Sequence, residues 1–243
     1  MFREVTTSTT GTTTEGTCSE DHALYLLRTA VRRGYQVEAT RHGGAVITRK
    51  VWTGDVTPKT LTVAIEPLTA VGVITPTLLG DLTAISADQR AYRVDQAEPG
   101  FRSRIGRINA RLASVPPAAA RRLVERGLIV LGEPERSTSN GCLPETRTPV
   151  RLSLVARLVL LAHAHRTSTT APRGYHRPDL SELYASLGRN VGGGKAGLAY
   201  DGISAAYCSC RGWSAHVDGR DLARRRAHEH RQQVTAAMIT ALA

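Results

Sequence analysis

Between Tyr207 and Val234 the stretch YCSCRGWSAHVDGRDLARRRAHEHRQQV brings together Cys208, Cys210, Trp213, His216, His228, His230 and the triplet Arg224, Arg225, Arg226. Thiolate and imidazole are donors that zinc binds tetrahedrally, so paired cysteines near a histidine raise the chemistry of a metal site. Residues two apart on a strand face the same side, so Cys208 and Cys210 can present both thiols together. In the segment that follows, Ala223, Ala227, Val234, Ala237 or Met238, and Ala241 recur at steps of three and four, and His230 falls into that series. His230 is therefore predicted to face inward. His228 shares its side with Arg224, Arg225 and Gln232 and is predicted to face water. Trp213, Ala215 and Val217 form the apolar set of the second strand, which turns His216 outward. Cys208, Cys210 and His230 are the candidate ligands of a structural Zn2+, and a fourth would come from Cys142, His176, a rotated His216 or water. Cys-x-Cys is less usual for zinc than Cys-x2–4-Cys, and the same residues also fit a metal-free hairpin with two half-buried thiols.

Arg224, Arg225 and Arg226 span nearly a full helical turn with only Asp221 and Glu229 nearby, so at least two of them must be exposed. They form the candidate partner-binding surface, for an acidic protein face or a DNA backbone; a purely solvated face is the other reading. A phosphate grip without base contacts would be nonspecific and steeply salt-dependent. The loop GGGKAG, Gly192 to Gly197, lacks the spacing and the hydroxyl residue of a P-loop, since Arg189 stands five before Gly194 and Ala196 follows Lys195. His163 and His165, two apart on a predicted helix, point away from each other and cannot share a metal. The chain contains no nucleophile elbow, no H-E-x-x-H and no dinucleotide fingerprint. It is read as a protein that is not an enzyme.

The totals bound what these residues can serve. The 243 residues carry 32 basic against 21 acidic groups, a formal charge of +11, which favours polyanions, acidic protein patches or anionic surfaces as partners. Lys50, Lys59 and Lys195 are the only lysines; arginine, which supplies the rest, suits bidentate carboxylate or phosphate contacts. Residues 150–243 hold 13 basic and 6 acidic groups, the more basic part of the chain. Cys18, Cys142, Cys208 and Cys210 are too few and too scattered for a disulfide scaffold. With no apolar leader and no stretch long enough to span a membrane, a cytoplasmic protein without membrane contact is expected.

The elements that must position these residues follow from periodicity and turn signals. Residues 1–18 are threonine-rich, bury almost nothing and read as a disordered tail. SEDHALYLLRTAVRRG is a helix with Ser19 as N-cap and Gly34 as stop. YQVEAT, GGAVITRKVW and KTLTVAIEPL form an antiparallel three-stranded meander, and TPTLLGDLTAIS is a helix capped by Thr75 with Pro76 at its first position. A short strand near AYRVD and a helix over SRIGRINARLA follow. PPAAARRLVERGLIVLGEP reads as a helix to Arg126, a Gly127 stop and a strand Leu128 to Leu131, an order that also occurs in winged-helix domains. GEPERSTSNGCLPETRTP is a linker. TPVRLSLVARLVLLAHAHR begins with a second Thr-Pro cap and forms an apolar helix, TSTTAPRGYHRPD is a loop, and DLSELYASLG is a helix capped by Asp179. SAAYCSC and WSAHV are strands around Arg211-Gly212 and lead into the final helix, a ββα unit.

The fold class expected is α+β: an N-terminal helix plus antiparallel sheet with packed helices, and a smaller C-terminal helical region ending in the ββα module. The domains are a tail at 1–18, an α+β domain at 19–131, a linker at 132–149, and a C-terminal domain at 150–243 with the module at 203–243.

Short C-x-C-x-G-W hairpins followed by an Arg/Ala/His helix, here Cys208, Cys210, Gly212, Trp213, Arg225 and His230, occur in proteins of actinobacteria and their phages. With its length, its basicity, the opening MFREVTTSTTGTTTEG and the segment RRGYQVEATRHGGAVITRKV, the chain resembles the recombination directionality factor of an actinophage large serine integrase. That resemblance implies an accessory protein that binds a serine integrase on att-site DNA, at the coiled-coil-bearing C-terminal region. It would switch the integrase from joining attP and attB to recombining attL and attR, for prophage excision. Such factors are not alike across phages, so the resemblance carries over no site residue. The alternative is a DNA-binding transcriptional regulator in which residues 75–131 are winged-helix-like.

Overall fold

The computed structural model describes residues 1–9, 11–51, 58–86, 92–96, 104–106, 115, 117–137, 145–170 and 203–242. The fold is α+β, with antiparallel sheets and a long C-terminal helix. It divides into two compact units, Met1–His163 with Thr235–Ala243, and Ala164–Val234. The division replaces the expected boundary at 132–149. No helix among the described residues is long and apolar enough to cross a membrane.

The first unit is built on a five-stranded antiparallel sheet. The meander β3 (Gln36–Ala39), β4 (Ala45–Val51) and β5 (Lys59–Pro67) forms as the sequence predicts, and the order β2-β1-β5-β4-β3 adds two strands from the N-terminus. These are β1 (Phe2–Ser8) and β2 (Thr13–Cys18), so residues 1–18 are a hairpin and not a disordered tail. Two things order them. Phe2 is buried in the core, and β1 pairs with β2 on one side and β5 on the other. The threonines then act as β-branched strand formers on a partly solvated surface.

Helix α1 (Glu20–Arg32) packs Ala23, Leu27 and Ala30 into this core. The Ser19 side chain accepts from His22 N–H, and Gly34, at φ 70°, lets Tyr35 N–H reach the Ala30 carbonyl and close the helix. Helix α2 (Pro76–Ser86) is capped by Thr75, whose hydroxyl accepts from Leu78 N–H at 3.2 Å.

A second sheet, ordered β7-β6-β10-β8 with β9 also on β10, comprises β6 (Tyr92–Gln96), β7 (Arg104–Gly106), β8 (Ile129–Leu131), β9 (Glu135–Ser137) and β10 (Glu145–Leu152). Helix α3 (Pro117–Glu125) ends at Gly127, and Leu128 N–H returns to the Leu123 carbonyl as the chain enters β8. Three expectations fail here. Arg104–Gly106, expected within a helix, pairs with β6. The expected linker supplies β9 and most of β10. Thr148-Pro149 is not a helix cap but the interior of β10, at the point where the strand passes from β6 (Glu145–Pro149) to β8 (Val150–Leu152). At such a change of partner the missing proline N–H is tolerated, and the Pro149 carbonyl still accepts from Gly132 N–H at 2.8 Å.

Helix α4 (Leu154–Ala164) starts five residues later than that cap would place it. The Ser153 hydroxyl accepts from Ala156 N–H, and a Glu20 carboxylate oxygen accepts from Leu154 N–H at 2.8 Å. A carboxylate at a helix N-terminus meets the positive end of the dipole, so the first turn of α1 helps to begin α4.

The second unit contains a three-stranded antiparallel sheet, β11-β12-β13, and most of the last helix. Strand β11 (Thr167–Thr169) lies where a loop was expected. It pairs with β12 (Ile203–Cys208), which pairs with β13 (Ser214–Asp218). After Gly219, at φ 80°, helix α5 runs Arg220–Ala241. Its buried positions are Ala223, Ala227, His230, Thr235 and Ile239, so the predicted stripe holds to His230 and then shifts to Thr235 and Ile239, leaving Ala237 and Ala241 exposed. The predicted Asp179-capped helix, the GGGKAG loop, Cys142 and His176 lie outside the described residues.

Candidate metal centre

Cys208 ends β12, and the chain turns immediately: Arg211 N–H donates to the Cys208 carbonyl at 3.1 Å, and Cys208 N–H donates to the Trp213 carbonyl at 3.2 Å. Cys210 therefore sits in the turn and not on the strand. The turn brings its thiol near that of Cys208, an arrangement expected from strand alternation but produced by a different backbone.

Ser209, between the cysteines, ties this turn to the end of α4. Its N–H donates to the Arg166 carbonyl at 2.9 Å, its hydroxyl donates to the Ala164 carbonyl at 2.8 Å, and Arg166 N–H donates back to that hydroxyl at 3.0 Å. Those three bonds fix the residue between Ala164 and Arg166, which is His165. Helix α4 has ended by then, so the helical angle that separates His163 from His165 no longer governs where the His165 ring points.

His165 Nδ1 lies 3.6 Å from the Cys208 sulfur, and His230 Nε2 lies 3.9 Å from the Cys210 sulfur. The ligand atoms of His165, Cys208, Cys210 and His230 all lie within 4.8 Å of one another. For a tetrahedral ion with metal–sulfur bonds of about 2.3 Å and metal–nitrogen bonds of about 2.0 Å, donor separations are roughly 3.3 to 3.8 Å. The donor separations thus exceed those of that arrangement by no more than about 1.5 Å, and the cluster can hold a metal ion. The three predicted ligands come together, and the fourth donor beside them is His165. His216, the alternative among the described residues, is exposed on β13 and packs edge-on against Tyr207.

The surroundings favour ligating forms of the imidazoles. Burial pushes His165 below the usual histidine range; burial, then the charges of His165 and Arg231, does the same for His230. A neutral ring is the form that binds a metal. Burial pushes the Cys208 thiol up, so a metal would have to displace its proton. His230 is held by Trp213, whose ring stacks on it at 4.5 Å and 9°, with His165 edge-on at 5.5 Å. Helix α5 is secured to β11 by a hydrogen bond from Arg231 to the Thr167 hydroxyl. His228, expected in water, is half-buried beside Arg231 and Gln232.

On the same helix Arg224, Arg225 and Arg226 are all exposed. Arg224 pairs with Asp221 at 3.3 Å and Arg226 with Glu229 at 2.9 Å. Such exposed pairs contribute little to stability, which leaves the guanidinium groups free to exchange partners.

No family model, curated protein or solved structure matches the chain.

Proposed function

We propose that the protein is a non-enzymatic accessory factor that binds a serine integrase and switches it from integration to excision, with a C-terminal unit stabilised by zinc. The observation that carries the zinc part is the donor set. Two thiolates and two imidazoles would fill all four positions of a tetrahedral ion, the closed coordination of a structural site, whereas catalytic zinc keeps a position open for water or substrate. His230, one of the four, sits on the helix that displays Arg224, Arg225 and Arg226. A metal bound there would hold that helix against the β12–β13 turn and set its basic face for a partner.

The identity of the partner is supported by the resemblance described above and by the excess of basic groups. A factor of this kind needs no catalytic residue. It acts by binding one integrase–DNA synapse more tightly than another, and a change from 1:99 to 99:1 requires about 5.5 kcal/mol of differential affinity. Purified protein is to be incubated with the cognate serine integrase and an attL/attR plasmid. Excision that depends on the protein, and is weakened when Arg224, Arg225 and Arg226 are changed to Glu, is expected. No excision with folded protein would refute the reading. A gel shift on att DNA without integrase separates the regulator alternative, which requires tight, sequence-selective binding.

A further inference from the structure

Among the described residues, Arg211 is the one residue other than glycine with positive φ, at 59°. Residues with a Cβ avoid that left-handed region and glycine enters it freely. Gly212 is the next residue, yet its φ is not positive, and a Cβ added to it would meet nothing within 4 Å. The order Gly-Arg would therefore suit this turn better than Arg-Gly. Local conformation gives no reason for an arginine at 211, and strain of this kind, once observed, directs attention to function.

The position of Arg211 supplies a reason. It directly follows Cys210, whose sulfur lies 3.9 Å from His230, and Arg226 stands one turn before His230 on α5. Arg211 and Arg226 thus flank one pair of candidate ligands from the turn and from the helix. Arg211 is exposed and makes no ion pair among the described residues. Its backbone is held by the bonds that close the turn, so the guanidinium starts from a fixed base.

We infer that Arg211 is a docking residue: the turn holds it in a left-handed conformation so that its guanidinium, with that of Arg226, meets carboxylates on a partner protein. The inference rests on reading the chain as a partner-binding accessory factor. A protein fits better than a nucleic acid because Asp221 and Glu229 are interleaved with the arginines. They would repel a continuous phosphate chain, whereas a protein surface can answer alternating signs. Arginine is the cation whose planar fork matches a carboxylate.

The test uses the whole 243-residue chain, purified under reducing conditions with zinc present, and its Arg211→Gly and Arg211→Lys variants. Arg211→Gly is expected to keep its metal content and to melt no lower than the parent, because glycine relieves the left-handed residue. It is expected to bind purified integrase about tenfold more weakly, with Arg211→Lys in between. Unchanged integrase affinity for Arg211→Gly overturns the inference. If the parent itself fails to bind integrase, the accessory reading falls alone, and a glutamate-rich peptide and a short random DNA duplex, followed by fluorescence anisotropy, decide the inference. Parent binding to the peptide that drops about tenfold in Arg211→Gly upholds it. No loss, no peptide binding, or tighter binding to the duplex than to the peptide overturns it.

Discussion

Metal removal should unfold the second unit and leave the first intact. Among the described residues, the apolar cluster of Ala164–Val234 is Ala206, Ala223 and Ala227, with Trp213 and Val217 packed against them and Ala205 and Cys208 buried nearby in the chain. At about 0.8 kcal/mol per buried carbon group, the three methyls contribute roughly 2 to 3 kcal/mol. A structural zinc contributes an apparent 10 to 16 kcal/mol or so at pH 7, several times more. By contrast the first unit buries Phe2, Leu27, Ile65, Leu82, Leu123, Leu128, Leu158 and Ile239 almost completely. A unit whose described residues bury so little is the kind that a metal staples. Chelation under reducing conditions should therefore make residues 164–234 sensitive to protease while 1–163 resist. In a Trp52→Phe background Trp213 is the only tryptophan, and its emission should shift to the red as the His230 stack at 4.5 Å is lost. Cys208→Ser or His165→Ala should bring the same change at chelator concentrations that the parent withstands. The reasoning is refuted if protein purified under reducing conditions carries no metal, or if chelation leaves both the proteolysis pattern and Trp213 emission unchanged.

Three further outcomes are expected. Phe2→Ala should cost about 3 to 5 kcal/mol in a urea titration, because Phe2 is 1% exposed; a dispensable tail would show no change. Glu20→Gln and Ser153→Ala should each lower stability by about 1 kcal/mol by weakening the start of α4, and Asp21→Asn, which caps no N–H in that helix, serves as the control. Burial raises the Asp81 carboxyl, partly offset by the charge of Arg122. A carboxyl whose folded value exceeds its unfolded value is destabilising when ionised, fully so above the folded value and no longer below the unfolded value near 3.8. Asp81→Asn should thus raise the melting temperature at pH 7, with the gain shrinking toward pH 3; an equal gain at both would contradict the sign.

What could be read directly from the chain was local. Ser19, Thr75, Gly34 and Gly127 mark helix ends by chemistry that acts within a few residues, and each does so in the structure. The meander over 36–67 and the ββα order of 203–241 follow from β-branched runs, turn residues and a change of period. That period placed His230 inside and made it a ligand candidate together with Cys208 and Cys210. Periodicity likewise predicted exposure within the arginine triplet.

Tertiary structure decided whatever depended on a distant partner. Residues 2–18 resemble a polar tail until β5, some sixty positions away, supplies the backbone groups that pair with β1. Thr148-Pro149 has the composition of a helix cap, and only its pairing with β6 and the approach of Gly132 make it a strand. Helical spacing sets His165 apart from His163 and gives it no shared metal. It became a fourth donor because α4 stops at Ala164 and Ser209, more than forty residues later, fastens both of its neighbours. Side-chain period and capping are fixed by neighbours along the chain and so survive as pattern. Strand partners and the last donor of a candidate metal site are fixed by contacts across it, for which a single sequence carries no local mark.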